Sequence, residues 1–188
     1  NKFILSLERN NANFGFVISP YFKKINGFIQ LIPVGISTTI RGAFPVYEYN
    51  QIDAEIYGVD IDLNKKINNR LNYNGNISLL RGKNTSENIP LINMPAANIN
   101  NKLTYFNEEF KQLSVSLTQK TVLKQNRFPD YNFFTLDPVT QQDVYVDISS
   151  TPPTYSIFGL NISSAFNKGK LQLELNVENL LNTSYREH

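Results

Sequence analysis

The stretch Gly58-Val-Asp-Ile-Asp-Leu-Asn64 sets two carboxylates, Asp60 and Asp62, two positions apart. In an extended chain such positions share a face, so the pair could hold a cation or divide acid and base work. Asp60-x-Asp62-x-Asn64 has calcium-loop spacing, but Ile61 and Leu63 intervene and the required Gly is missing, which marks a strand instead. Beside basic neighbours the two side chains would be ordinary ion-pair partners. A second set lies between residues 126 and 153, where Arg127, Asp130, Tyr131, Phe133 and Phe134 mix charge with aromatic surface. Loops over a rigid wall commonly carry recognition, and this mixture suits an amphiphilic ligand. Packing of Phe133, Phe134 and Tyr145 within the loop would produce the same composition. Ser and Thr are frequent, but Cys is absent and the one His, His188, is terminal. No hydroxyl therefore has an evident activating base, and no Cys or His set can ligate a metal. The triplets at Asn76, Asn84, Asn161 and Asn182 match a glycosylation sequon, as an Asn-rich chain does by chance. The residues point to no enzyme, no cofactor and no metal centre.

What positions these groups is a period-two pattern. Leu171, Leu173, Leu175 and Val177 oppose Gln172, Glu174, Asn176 and Glu178. Leu71, Tyr73, Ile77 and Leu79 oppose Asn72, Asn74, Asn76 and Ser78, while Tyr57, Val59, Ile61 and Leu63 oppose Gly58, Asp60, Asp62 and Asn64. The same rule holds over 3–8, 99–105, 113–118 and 158–166, and over 14–32 until it blurs at Lys23–Gly27. An all-β chain of about eight strands follows. Short turns at 9–13, 65–69, 107–109 and 167–169 alternate with longer connections at about 33–45, 82–97 and 126–153.

That alternation predicts an antiparallel up-and-down transmembrane β-barrel rather than a sandwich with Greek-key crossings. The polar face, with Asp60, Asp62, Asn72, Asn74 and Asn76, is small and mostly neutral, which suits a wet lumen against a lipid bilayer outside. Tyr73, Tyr105, Phe106, Phe110, Tyr155 and Phe166 are expected to form interfacial girdles or pack in the core. No apolar run is long enough for a membrane-crossing helix. A net charge of +2 spread over 188 residues gives no basic stripe for nucleic acid. A passive porin-like barrel and a soluble β-sandwich binding module remain the alternatives. In the sandwich, Leu171, Leu173 and Leu175 would be buried between sheets.

The closing residues carry a resemblance. Asn176-Val-Glu-Asn-Leu-Leu-Asn-Thr-Ser-Tyr-Arg-Glu-His188 is similar to the signature near the C-terminus of TonB-dependent outer-membrane receptors, with Asn179, Leu180, Asn182 and Tyr185 in its key places. Residues 46–63 resemble that family's stretch of Tyr, Asn, Ala and Gly leading to an acidic residue, usually Glu and here Asp60. Residues 89–106 resemble its loop entering a strand. The resemblance implies that 1–188 are a C-terminal portion of a 22-stranded barrel in the outer membrane of a Gram-negative bacterium. It implies a plug domain, an energy-coupling segment and a final strand outside these residues. It also implies uptake of a small molecule, with a ferric siderophore foremost, driven by the TonB complex.

Overall fold

The computed structural model describes residues 1–130, 133–137, 139–146, 151–166 and 170–187. Wherever the sequence alternates, the backbone is extended, and among the described residues there is no helix. The strands are β1 (Lys2–Ile4), β2 (Leu7–Asn10), β3 (Phe14–Thr39), β4 (Gly42–Lys66), β5 (Leu71–Asn84) and β6 (Ile89–Pro90). They continue as β7 (Asn98–Asn107), β8 (Leu113–Val122), β9 (Phe133–Leu136), β10 (Asp143–Val146), β11 (Tyr155–Phe166) and β12 (Leu171–Val177). One open antiparallel sheet runs β1-β3-β4-β5-β7-β8-β11-β12, with β2 also on β3 and β6 on β5. Sequence neighbours are spatial neighbours throughout, which is the up-and-down layout.

β1 and β2 are one strand interrupted. Ile4 opposes Tyr21 and Leu7 opposes Ile18 in a continuous register, so the gap falls opposite Pro20. Proline has no N–H to give the ladder, and only the bond from Leu5 N–H to the Pro20 carbonyl, 3.1 Å, survives there. The expected eight strands are thus present.

The connection expected at 33–45 is not a loop. β3 and β4 stay paired up to Thr39 and Gly42, leaving Ile40 and Arg41 as the turn. Thr39 Oγ1 accepts from Arg41 N–H at 3.1 Å and donates to the Gly42 carbonyl at 3.3 Å, which closes it. The pattern was hard to read because two bulges shift it, at Ile25/Phe28 and Pro33/Gly35. The blurred stretch is the first bulge: Gly27 takes φ 70° and its N–H donates to Asp53 Oδ1 at 3.1 Å. The turn expected at 107–109 opens a five-residue loop: Asn107 pairs with Leu113, its carboxamide accepts from Glu109 and Phe110 N–H at 3.1 and 3.3 Å, and Lys111 and Gln112 take φ 51° and 50°. The two left-handed residues close the loop, where Leu113 N–H bonds the Phe110 carbonyl at 2.9 Å.

Register sorts the side chains onto two faces. One carries Phe3, Leu5 and Leu7; Phe14 to Phe22; Tyr57 to Leu63; Leu71 to Leu79; and the leucines of β12. It ends in charge, at Lys65 below and at Lys24, Glu55 and Arg81 above. About ten residues at ~3.3 Å, tilted by ~40°, rise about 25 Å, the height of an outer-membrane apolar band. Leu171, Leu173 and Leu175 are 52–56% exposed, so no second sheet covers them and the sandwich alternative fails. Tyr73, Tyr105 and Phe166 stand on this face, as expected. Phe106 and Tyr155 do not: their parity puts them on the polar face, with Ser114 and Val122 opposite.

Candidate functional site

The polar face of β4, β5 and β7 is a side-chain ladder. Ser78 Oγ donates to Asp60 Oδ1 at 2.6 Å, Asn76 Nδ2 to Asp62 Oδ1 at 2.8 Å, and Asn74 Nδ2 to Asn64 Oδ1 at 2.5 Å. Each donor stands directly opposite its acceptor in the register. Asn100 Nδ2 carries the network onward to Asn76 Oδ1 at 3.3 Å. Asparagine suits this role because one carboxamide donates to one strand while accepting from the next. Asn72 opposes Lys66 at the lower end of the same face. The ion pairs described, Arg70–Glu109 at 3.2 Å and Lys120–Glu187 at 3.9 Å, do not involve Asp60 or Asp62. The two aspartates are therefore acceptors within the ladder. A hollow of about 750 Å³ lies over it, lined among others by Asp62, Asn76, Lys102, Lys120, Glu178 and Tyr185.

Above the apolar band the same face changes chemistry. Ile52, Ala54 and Leu91 form a buried cluster, with Phe28, Ile56 and Met94 packed against it. The 85–97 connection folds onto the sheet to supply Leu91 and Met94. It can approach because Gly82 has no side chain: a Cβ there would stand 2.6 Å from Leu91 Cδ1 and 2.7 Å from Met94 Sδ. Asn84, 1% exposed, starts the turn by accepting from Ser86 and Glu87 N–H at 2.9 and 3.3 Å. Gln125 Nε2 donates to the Met94 carbonyl at 2.9 Å and ties this loop to the next. Sequence reasoning missed this cluster; the apolar run Pro90-Leu-Ile-Asn-Met94 was its signal.

In the longest loop, β9 and β10 pair as a small hairpin. Arg127 N–H bonds Gln125 Oε1 at 3.0 Å, which fixes it at the loop's root, and Asp130 is exposed. Tyr131 lies outside the described residues, as do the side chains of Phe133 and Phe134. The Asp137 carboxyl is held below the ordinary carboxylate range, first by the Val139 N–H at 2.8 Å and then by Thr140.

At the end of β12, residues 178–182 (Glu-Asn-Leu-Leu-Asn) form a backbone device. Asn179 and Asn182 both take φ 50°, a conformation asparagine tolerates better than other side-chain-bearing residues. The Asn179 carboxamide accepts from Thr183 N–H at 2.8 Å and donates to the Thr183 carbonyl at 3.0 Å. Leu180 N–H still reaches the Phe158 carbonyl at 2.7 Å, so the strand's tip stays on β11. The chain then turns over the polar face, where Tyr185 stacks on Tyr155 at 4.7 Å between ring centres.

An open wall of long antiparallel strands, apolar on one face and hydrogen-bonded on the other, belongs to the class of outer-membrane barrels. Residues 5–180 match the family described as TonB dependent receptor-like, beta-barrel. The chain belongs to that family, whose members are outer-membrane transporters rather than enzymes. Among solved structures, one described as copper transporter OprC superposes with a TM-score of 0.78 at 19% sequence identity. The match covers all of this chain and 26% of that one, so these residues span about a quarter of its length. At that identity the likeness speaks to the fold. No curated protein matches.

Proposed function

We propose that this chain is wall and outer loops of a receptor that imports a scarce small molecule across the outer membrane with energy from the TonB complex. The reading rests on the polarity of the two faces. The apolar band meets lipid, and the ladder of Asp60, Asp62, Asn74 and Asn76, with Asn72 below it, lines the lumen, where a plug domain would seat on acceptors not engaged in ion pairs. The end bearing the 85–97 and 123–154 loops faces outside, and Arg127, Asp130, Tyr131, Phe133 and Phe134 of the longer loop are the candidates to contact an amphiphilic ligand. A ferric siderophore fits that surface better than bare copper does. The segment has no Cys and one Met, and Met94 is packed against Gly82; soft metal ions favour such ligands in sets.

The test uses the full-length receptor in its own membrane. Leu173→Cys should react with a lipid-phase maleimide and Asn74→Cys with an aqueous one. Ferric-siderophore uptake should stop when TonB is removed. Uptake that persists without TonB would show a passive pore instead.

A further inference from the structure

Met94, the one methionine of these residues, closes the upper cluster. It is half-buried, and Asn93 before it takes φ 53°, which turns the chain back toward the sheet. Its sulfur occupies the place a side chain on Gly82 would fill, since a Cβ there would stand 2.7 Å away. Around it are Leu91, Ile52, Ala54, Phe28 and Ile56, and the Leu91 N–H is already spent on the Gly82 carbonyl at 3.1 Å. The backbone of Met94 has a second task. Its carbonyl takes Gln125 Nε2 at 2.9 Å, and the Pro95 carbonyl takes the same group at 3.5 Å. Gln125 Oε1 in turn accepts from Arg127 N–H at 3.0 Å, and Thr151 Oγ1 donates to the Gln125 carbonyl at 2.9 Å. One carboxamide thus joins the seat of Met94 to the root of the longest loop.

With Cys absent, this thioether is the side chain that a two-electron oxidant attacks first. A peroxide gives one oxygen to a sulfur lone pair: its O–O bond breaks, an S–O bond forms, and the second oxygen leaves as water or an alcohol. Sulfur is oxidised by two electrons and the peroxide reduced by two. The flexible apolar side chain becomes a polar one. Turned toward β5, the new oxygen runs into Gly82; turned among Leu91, Ile56 and Phe28, it meets side chains without a donor. A polar atom left unpaired in such a place is relieved only by water. We infer that Met94 is an oxidation-sensitive latch: a peroxide in the medium converts it to the sulfoxide, the 85–97 connection leaves the sheet, and the Gln125 tie to Arg127 goes with it. The inference rests on the proposed reading that this end faces outside, and it adds a control on the loop that carries Arg127 and Asp130.

The experiment treats the full-length receptor on intact cells with hydrogen peroxide and then with a non-specific protease. Peptide masses should show Met94 gaining one oxygen. Cleavage within 85–97 should quicken by about tenfold, the docking equilibrium lost to one unpaired polar atom. Cleavage next to Arg127 should quicken with it, and methionine sulfoxide reductase acting on isolated outer membranes should reverse both. Met94→Leu keeps an apolar contact without the sulfur, so it should keep the untreated rate and ignore peroxide. Met94→Gln should raise cleavage with no peroxide added. The proposal is overturned if Met94 stays unoxidised at doses that oxidise an added methionine peptide, or if the sulfoxide forms and cleavage does not change. It is also overturned if Met94→Leu responds to peroxide as the native receptor does. Cleavage that appears only once the cells are broken would overturn the outward reading instead, and the response to peroxide in the opened membranes still decides the latch.

Discussion

The lower and upper parts of β4 obey opposite rules. Within the band, Tyr57, Val59, Ile61 and Leu63 share the apolar face while Asp60 and Asp62 bond on the polar one. Just above it, Glu55 continues the face of Tyr57 and Val59 while Ile52 and Ala54 bury on the other. The strand keeps its period and exchanges its polarity. On the proposed reading what changes is the solvent outside: hydrocarbon below favours apolar side chains facing outward, and water above favours them only inward. On that reading a single strand marks the membrane boundary by where its two faces trade places.

The comparison breaks most sharply at the upper cluster. Leu91→Ala removes a side chain that is 1% exposed and should weaken docking of the 85–97 loop by about 2–5 kcal/mol. Cleavage of that loop by a non-specific protease on intact cells reads it, and an unchanged rate would mean that the cluster is not what holds the loop. Next is Leu117→Lys in the band, expected to cost about 2–4 kcal/mol of barrel stability in urea titrations in lipid, whereas Ser114→Lys on the opposite face should cost far less. Equal costs would erase the distinction between the faces. At the top of β12, Asn179→Ala loses both bonds to Thr183 and the tolerated φ, about 1–2 kcal/mol. Asn179→Gly should recover the backbone part of that loss.

The smallest effect is on the longest loop. The folded-state value of Asp137 is lowered, so its contribution is present above the ordinary carboxylate value and fades as pH falls through the lowered one. Amide exchange at Val139 should therefore show its hydrogen-bond protection fall away in acid and not in base.

Much of this was legible beforehand. Leu171 to Val177 declared a strand by alternation, and so did the ladder residues Asn72, Asn74 and Asn76, because a side-chain period of two is a local property of extended backbone. The tall hairpin was not legible. Bulges at Gly27 and Val34 reset the period, and a bulge is a pairing event between strands. The parity of Phe106 and Tyr155 was lost for want of exact strand ends. Leu91 looked like loop because its burial depends on Gly82, nine positions away along the chain and adjacent only after β5 folds.

The sequence by itself determined that this chain makes two-faced strands, where most of them lie, that it carries no catalytic set, and that its closing asparagines match a receptor wall. Those facts follow from residue type and short-range spacing. Only the tertiary structure decided that Asp60 and Asp62 are ladder acceptors, that Asn179 clamps Thr183, and that Asn101 and Gln119 meet on the face of Leu103 and Leu117. Hydrogen bonds between strands depend on register, and register exists only once separate segments of the chain have found each other.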